Sequence, residues 1–325
     1  MTAPAPPPLI HPPPLLQIDA GETSSVAVSD EGEVFTWGWG GSFWGGSGGL
    51  GHGDVVTQPS PALVESLSDA KVFITSVSVG SSHMLALTKE GKVFSWGNGE
   101  YGRCGNGLTN QPKPLAIEIL SESAGGGGKC ISIAAGPTHS FAVDAEGFVW
   151  AWGKNEASQL GLGAGLVADL NTMEEYPTRV MVEGDEFNAS IDGSGGGGFG
   201  FNGRVTKIAA GSYHTLAVTR EGKVWTWGAR THLSPTLVPF AKSLIGSTSP
   251  NRPLTAKIIA AGDAVSAVIE PTGSLLSWSK GGRNEVLGHP VNVLGNPRTP
   301  ESIDADNLTF SAVSIGTNHA LAVVA

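Results

Sequence analysis

The chain has 325 residues, 47 of them glycine, and a formal net charge of −10, which repels phosphate and argues against direct contact with nucleic acid. No apolar run approaches the ~18 residues of a membrane-spanning helix, so no transmembrane segment is expected. Cys104 and Cys130 show neither zinc-ligand spacing nor a disulfide framework, which favours an intracellular compartment, cytoplasmic or nuclear. A mitochondrial or plastid location would require an additional targeting peptide.

Residues 1–16, MTAPAPPPLIHPPPLL, form a Pro-rich leader without a charged side chain. Such a composition predicts a polyproline-II tail. Two alternatives stay open. The leader could be a docking peptide for an aromatic-lined groove, or Pro7–Leu16 could be an edge strand that completes the last repeat of the chain.

Residues 17–325 are predicted to be one domain built from a repeated unit, which is clearest at Gly211–Gly228, GSYHTLAVTREGKVWTWG. A short apolar run, a Gly-containing turn and an alternating run predict a β-hairpin, and flanking segments add two more strands. Four short antiparallel strands per repeat are typical of a propeller blade. We therefore predict an all-β propeller of about six four-stranded blades, the last one incomplete or closed by the N-terminal segment. The other copies lie at Gly21–Gly38, Gly80–Gly97, Gly136–Gly153, Gly262–Ser279 and, as a half copy, Gly316–Ala325.

The loop of the first repeat, 38–54, carries Trp39, Phe43, Trp44 and His52 among many glycines. Aromatic rings on an exposed loop are candidates for a partner contact, because rigid rings contribute large area at low entropic cost. The alternative is that they fold back over the propeller face.

Later repeats depart from the pattern in two ways. An insert at 164–204 carries an acidic patch that includes Glu174 and Glu175, and insertions of this kind often bind partners. The fourth repeat lacks the Gly-rich loop that follows the Trp-Gly pair elsewhere, since Gly228 is followed directly by Ala229-Arg230-Thr231-His232.

The repeats resemble those of the regulator-of-chromosome-condensation family, whose propellers are of the seven-bladed type. The resemblance rests on Gly-x-x-His-x-x-x-Leu, on Val-aromatic-x-Trp-Gly and on the loop Ser158-Gln159-Leu160-Gly161-Leu162-Gly163. It implies a propeller fold, and it permits one specific activity, nucleotide exchange on a small Ras-like GTPase. A propeller exchange factor needs no cofactor, because it displaces phosphate- and magnesium-binding loops of its partner.

Repeated His and Trp residues are interpreted as structural. Each histidine belongs to a different blade, so the set cannot converge on one metal ion, and the tryptophans are expected to pack between blades. We predict no catalytic residue, no metal and no cofactor. The predicted function is a non-enzymatic protein–protein interaction scaffold, as a subunit of a larger assembly, and the alternative is a guanine nucleotide exchange factor. The repeated residues are His83, His139, His214, His319, Trp37, Trp96, Trp152, Trp227 and Trp278.

Overall fold

The computed structural model describes residues 14–41, 49–121, 128–163, 173–180, 205–238, 254–279, 301–303, 308–316 and 319–325. Phe43 and Trp44 lie outside the described residues, as do residues 1–13 of the leader and all of the 164–204 insert except 173–180.

Within the described residues, five antiparallel sheets each contain four strands that are consecutive in sequence, and a sixth sheet contains two. The first sheet has β1 (Leu15–Ala20), β2 (Ser24–Ser29), β3 (Val34–Gly38) and β4 (Gln58–Leu63), and the second has β5 (Ile74–Val79), β6 (His83–Thr88), β7 (Val93–Asn98) and β8 (Asn110–Ala116). The third has β9 (Cys130–Ala135), β10 (His139–Asp144), β11 (Val149–Lys154) and β12 (Met173–Arg179), and the fourth has β13 (Val205–Ala210), β14 (His214–Thr219), β15 (Val224–Gly228) and β16 (His232–Leu237). The fifth has β17 (Ile258–Ala261), β18 (Val265–Ile269), β19 (Leu275–Ser279) and β20 (Glu301–Ser302), and the sixth has β21 (Phe310–Ile315) and β22 (Ala320–Val324). Two short helices, α1 (Glu65–Asp69) and α2 (Glu118–Ser121), and a 3-10 turn, Glu100–Gly102, lie between strands.

The hairpin at the centre of each repeat forms for local reasons. In the second sheet Gly91 has φ +87°, a conformation that a residue with a Cβ rarely adopts, and its N–H donates to Thr88 O at 3.0 Å. All six residues of β6, β10 and β14 are buried, because each of these strands has sheet partners on both sides and packs against neighbouring sheets on both faces. This double burial explains why the sequence there is a continuous apolar run rather than an alternating one.

The sheets are arranged around a common centre, which the first glycine of each repeat marks. A Cβ on Gly80, Gly136, Gly211 or Gly262 would lie 2.5, 2.9, 2.5 or 2.8 Å from the carbonyl oxygen of the first glycine in the next repeat. Only glycine allows this close approach of one backbone to the next. Because these glycines all precede the same strand of the repeat, the corresponding ends of the sheets lie on one face of the ring.

The core consists of layers between adjacent sheets. One layer joins Phe141 and Leu160 of the third repeat with Trp227 of the fourth, and the rings of Phe141 and Trp227 meet edge-on at 6.0 Å. Equivalent layers lie between the first and second, second and third, and fourth and fifth sheets. This is the stacking that a single small sheet needs in order to bury both faces.

The structure confirms the predicted all-β propeller with about six repeats and a short last sheet. Strand β1 begins at Leu15, inside the predicted leader, and it pairs with β2 in the first sheet rather than with the last one. The outer faces at the two ends of the series are exposed. Ile18 is 69% exposed, whereas Val77, Ile133 and Ile208, which occupy the same register position, are buried. Leu321 of β22 is likewise 66% exposed.

Candidate functional site

Three of the four repeated histidines, His83, His139 and His214, are buried inside the ring. His83 Nε2 lies 2.7 Å from Ser140 Oγ of the third sheet, and His214 Nε2 lies 2.9 Å from Ser266 Oγ of the fifth sheet. Each histidine of these two pairs therefore meets a serine of the next sheet. His139 has no hydrogen-bond partner within the described part of the chain, and its ring meets Phe141 edge-on at 5.4 Å. Thr215, which stands where a serine would meet His139, donates instead to Gln159 O at 2.9 Å. His319, directly before β22, is exposed.

Burial keeps these imidazoles neutral. It lowers the pKa of His139 to about 3, with a smaller contribution from His214, and it lowers the pKa of His214 to about 4. The pKa of His83 is also well below its ordinary value, first because of burial and then because of the Arg103 charge. Histidines held in this state cannot exchange protons with a substrate near neutral pH. Among the described residues no group of three His, Cys, Asp or Glu side chains could hold a metal ion.

Trp96, Trp152 and Trp227 lie between sheets, and a loop of the preceding repeat covers each of them. Trp152 Nε1 donates to Arg103 O at 2.9 Å, and Trp227 Nε1 donates to Gln159 O at 2.8 Å. Trp96 is equally buried, yet its Nε1 has no acceptor in the described ranges. Trp278 is 8% exposed, and Trp37, in the first sheet, is only half-buried.

The residues predicted to bind a partner have different surroundings. Trp39 is 45% exposed directly after β3. His52 is half-buried, with Nε2 3.0 Å from Thr36 Oγ1, so one ring nitrogen is engaged within the first blade. Glu174 and Glu175 lie on β12, where a Glu174 oxygen accepts from Thr178 Oγ1 at 3.1 Å while Glu175 is exposed.

The tyrosines were not predicted from the sequence as candidate binding residues. The chain has three, and all are about half exposed: Tyr101 45%, Tyr176 51% and Tyr213 50%. Tyr213 directly precedes β14, Tyr101 follows β7, and Trp39 follows β3, which places all three at the same ends of their sheets and therefore on one face of the ring. Tyr176 lies on β12, beside Gly107 of the loop that begins at Tyr101. We call the surface formed by Trp39, Tyr101, Tyr176 and Tyr213 the aromatic face.

Two cationic side chains lie close to the ring of Tyr101. Lys154 Nζ lies 4.7 Å and Arg103 Cζ 5.4 Å from the ring centroid of Tyr101. Arg103 is itself held in place by hydrogen bonds to Glu100 O and to Ser82 Oγ, at 2.8 and 2.7 Å. Arg103 is only 5% exposed, so it supports the ring of Tyr101 from below. Exposed Tyr and Trp are among the residue types enriched at protein interfaces. No helix in the described parts of the chain is long and apolar enough to cross a membrane.

Four-stranded antiparallel sheets stacked around a centre, with most of the repeated His and Trp side chains buried between them, define a β-propeller in which each sequence repeat forms a blade. Two sequence profiles described as "Regulator of chromosome condensation (RCC1) repeat" match this chain. The first matches residues 31–87 and 90–143, and the second matches 74–103, 130–159 and 205–231. The chain is therefore an RCC1-repeat protein and belongs to that family.

Known proteins agree with this placement. The chain is 31% identical over 323 residues to the ultraviolet-B receptor UVR8 of Arabidopsis thaliana, covering 95% of this chain and 62% of the receptor. It is 30% identical to the mitochondrial RCC1 domain-containing protein RUG3 of the same plant, covering 94% of this chain and 64% of the relative. A match to mouse E3 ubiquitin-protein ligase HERC2, 33% identical, covers 66% of this chain but only 4% of the ligase. The chain thus spans less than two thirds of the length of these relatives.

Solved structures share the fold. Human WBSCR16 superposes with a TM-score of 0.73 at 22% identity, covering 96% of this chain and 72% of that one. Prp20p of Saccharomyces cerevisiae, whose structure was described together with its binding to Gsp1p and histones, superposes with a TM-score of 0.73 at 21% identity, covering 95% and 68%. At these identities the likeness concerns the fold alone.

Proposed function

We propose that this chain is a non-enzymatic protein–protein interaction scaffold, a subunit of a larger intracellular assembly, and that it contacts its partner through the aromatic face. The observation that carries the proposal is the exposure of every tyrosine of the chain, together with Trp39, at one face of a propeller. Half-exposed aromatic rings lose more solvent-exposed apolar area on binding than other surface side chains do, at a small cost in side-chain entropy.

The buried groups support the absence of an enzymatic role. The three buried histidines are neutral and enclosed, and burial raises the pKa of both Cys104 and Cys130 to about 12. A thiol of that pKa carries almost no thiolate near neutral pH, so it is a poor nucleophile. Within the described residues these buried histidines and thiols are therefore poorly suited to proton transfer or nucleophilic attack near neutral pH.

Nucleotide exchange on a small GTPase is the competing function, and Glu175 on β12 is one exposed acidic residue that could oppose a magnesium- or phosphate-binding loop. A nucleotide-release assay against a panel of small GTPases separates the two functions. The scaffold proposal predicts no acceleration by the chain, and acceleration by orders of magnitude would establish the exchange factor instead.

Affinity capture from native extract, with quantitative mass spectrometry, tests the scaffold proposal. A variant with Trp39→Ala, Tyr101→Ala and Tyr213→Ala is compared with the unchanged chain and with Ile131→Ala, which removes an apolar side chain that is similarly exposed on β9. We expect the aromatic triple variant to lose at least ~90% of a specific co-purifying protein, since two or three hot-spot side chains carry most of the energy of an interface. Equal recovery with both variants would contradict a role for the aromatic face.

A further inference from the structure

The fourth and fifth sheets enclose a cavity that the missing loop of the fourth repeat leaves open. Its volume is about 610 Å³, and Thr226, Val238, Ser266 and Trp278 are among the lining residues. The volume falls in the ~300–1,000 Å³ range of ligand pockets. In the second and third repeats a loop fills the corresponding space, and the contacts of that loop show what this cavity can bind.

In the second and third repeats a loop of one blade covers the tryptophan of the next. The carbonyl of Arg103 accepts from Trp152 Nε1 and from Ser140 Oγ, both at 2.9 Å. The carbonyl of Gln159 accepts in the same way from Trp227 Nε1 and Thr215 Oγ1, at 2.8 and 2.9 Å. One loop carbonyl therefore satisfies two donors that face each other across a strand pair.

The fifth sheet retains both donors without the carbonyl. Ser266 and Trp278 are paired in register, as Ser140 is with Trp152 and Thr215 is with Trp227. Both side chains are more than nine-tenths buried and both line the cavity. Ser266 Oγ keeps a hydrogen bond with His214, as Ser140 does with His83, and that arrangement leaves Ser140 able to donate to a carbonyl at the same time.

Leu160 follows the carbonyl-bearing residue Gln159, and the space that matches its side chain in the next blade is part of the cavity. Leu160 is fully buried in a cluster that includes Val180 and Trp227. Val238 takes the place of Val180, since each donates its N–H to the first residue of the Trp-bearing strand, Val224 and Val149 respectively. Val238 and Trp278 both line the cavity, which therefore offers an apolar site suited to a leucine side chain.

Glycine is required at the next position. A Cβ on Gly161 would lie 2.7 Å from Trp227 Cδ1, and a Cβ on Gly105 would lie 2.7 Å from Trp152 Nε1. A ligand that covers Trp278 in the same way must have a glycine after its apolar residue, because the indole leaves no room for a side chain.

We propose that the cavity binds a peptide turn of a partner protein, with the pattern any residue, then leucine or a similar apolar residue, then glycine. The carbonyl of the first residue accepts from Trp278 Nε1 and Ser266 Oγ, the leucine packs against Val238, and the glycine lies on the indole of Trp278. The site deepens the scaffold proposal by adding a specific peptide pocket, and it can fail while partner capture by the aromatic face succeeds.

The test uses the full chain and a fluorescently labelled cyclic peptide with the sequence of residues 155–163, NEASQLGLG, which copies the loop of the third repeat. Cyclisation preorganises the turn and reduces the entropic cost of binding. Fluorescence anisotropy should show saturable binding. Peptides with Leu160→Ala or Gly161→Val should bind at least ~10-fold more weakly, because the first loses a buried apolar side chain and the second places a branched side chain against the indole.

Protein variants localise the binding. Trp278→Phe keeps an aromatic ring but removes the N–H, and we expect it to weaken peptide binding roughly 5–10-fold, as expected for the loss of one buried hydrogen bond. Trp152→Phe is the matched control, because it removes the same N–H at a site already covered by its own loop. It should lower the melting temperature and leave peptide binding unchanged. In a loop graft, residues 154–163 replace Ala229–Thr231, which should abolish binding by filling the cavity within the chain.

Three results would overturn the proposal. The first is the absence of saturable binding to the full chain at millimolar peptide. The second is an equal loss of affinity in Trp278→Phe and Trp152→Phe. The third is binding that appears only after residues 239–253 are replaced by a Gly-Ser linker, since the chain would then fill the cavity itself.

Discussion

Replacing Trp96 and Trp152 separately by Phe isolates the hydrogen bond between blades from the packing of the ring. Both side chains are fully buried, and both pair with the second strand of their sheet in the same register. Trp152→Phe removes an N–H that donates to Arg103 O at 2.9 Å. Trp96→Phe removes an N–H that has no acceptor among the residues described.

The two substitutions delete the same ring atoms, so the cavity term largely cancels in their difference. A satisfied buried hydrogen bond contributes about 1 kcal/mol, whereas an unpaired buried donor costs about 1–3 kcal/mol. Trp152→Phe should therefore lower the free energy of unfolding by about 2–4 kcal/mol more than Trp96→Phe does.

Urea unfolding followed by far-UV circular dichroism measures this difference, provided that the slope of free energy against urea is the same for both variants. A difference under about 0.5 kcal/mol, which is the additivity error for independent sites, or the reverse order, would refute the assignment of the inter-blade bond.

Three further predictions concern the buried groups. Because the pKa of His139 and of His214 falls to about 3 and about 4 on folding, the unfolded chain takes up their protons first. Stability should be full above about pH 6.5 and should fall on acidification by about 1.4 kcal/mol per pH unit for each histidine; equal urea midpoints at pH 7.5 and 5.5 would be inconsistent with neutral buried imidazoles. Gly161→Ala should cost about 1–3 kcal/mol more than Gly222→Ala, because both have positive φ but only Gly161 would place a Cβ 2.7 Å from an indole atom; equal costs would show that the indole can move away. Cys104 and Cys130, both buried with a pKa of about 12, should react with a thiol reagent at pH 8 only after unfolding, and rapid labelling of the native chain would contradict their burial.

The sequence predicted the fold because the same pattern of apolar run, glycine turn and alternating run recurs several times. An apolar run before a glycine turn and Val-aromatic-x-Trp after it can form only a hairpin with an apolar surface on both sides, and several such hairpins must stack. The burial of Trp96, Trp152 and Trp227 agrees with this reasoning, because each stands where the next blade arrives.

The candidate site was less predictable, for physical reasons. The aromatic face depends on which ends of the sheets share one side of the ring, and Tyr101 and Tyr213 stand at different positions of the repeat, so no common spacing links them. The cavity arises because the fourth repeat lacks the loop that follows the Trp-Gly pair in earlier repeats. The sequence shows that the loop after Gly228 is lost, but the consequence follows only once Ser140 and Trp152 are seen to share one loop carbonyl.

The histidines show a related limit. The repeat places His83, His139 and His214 alike, yet only His83 and His214 meet a serine hydroxyl. Thr215, in the equivalent position for His139, donates to Gln159 O and makes no hydrogen bond with the imidazole. A repeat therefore predicts where a side chain lies more reliably than it predicts the hydrogen bond that the side chain makes.

The central claim is that like sheets stack around a ring and that their repeated apolar residues lie in the walls between them. Leu216 and Leu321 occupy the same position of the repeat, but Leu216 is enclosed by neighbouring sheets, whereas Leu321 lies on the open face of β22. The most direct measurement is urea unfolding of Leu216→Asp beside Leu321→Asp. We predict a loss of more than about 3 kcal/mol, or failure to fold, for the first and a change within about 0.5 kcal/mol for the second. Equal losses at the two positions would contradict the stacked ring.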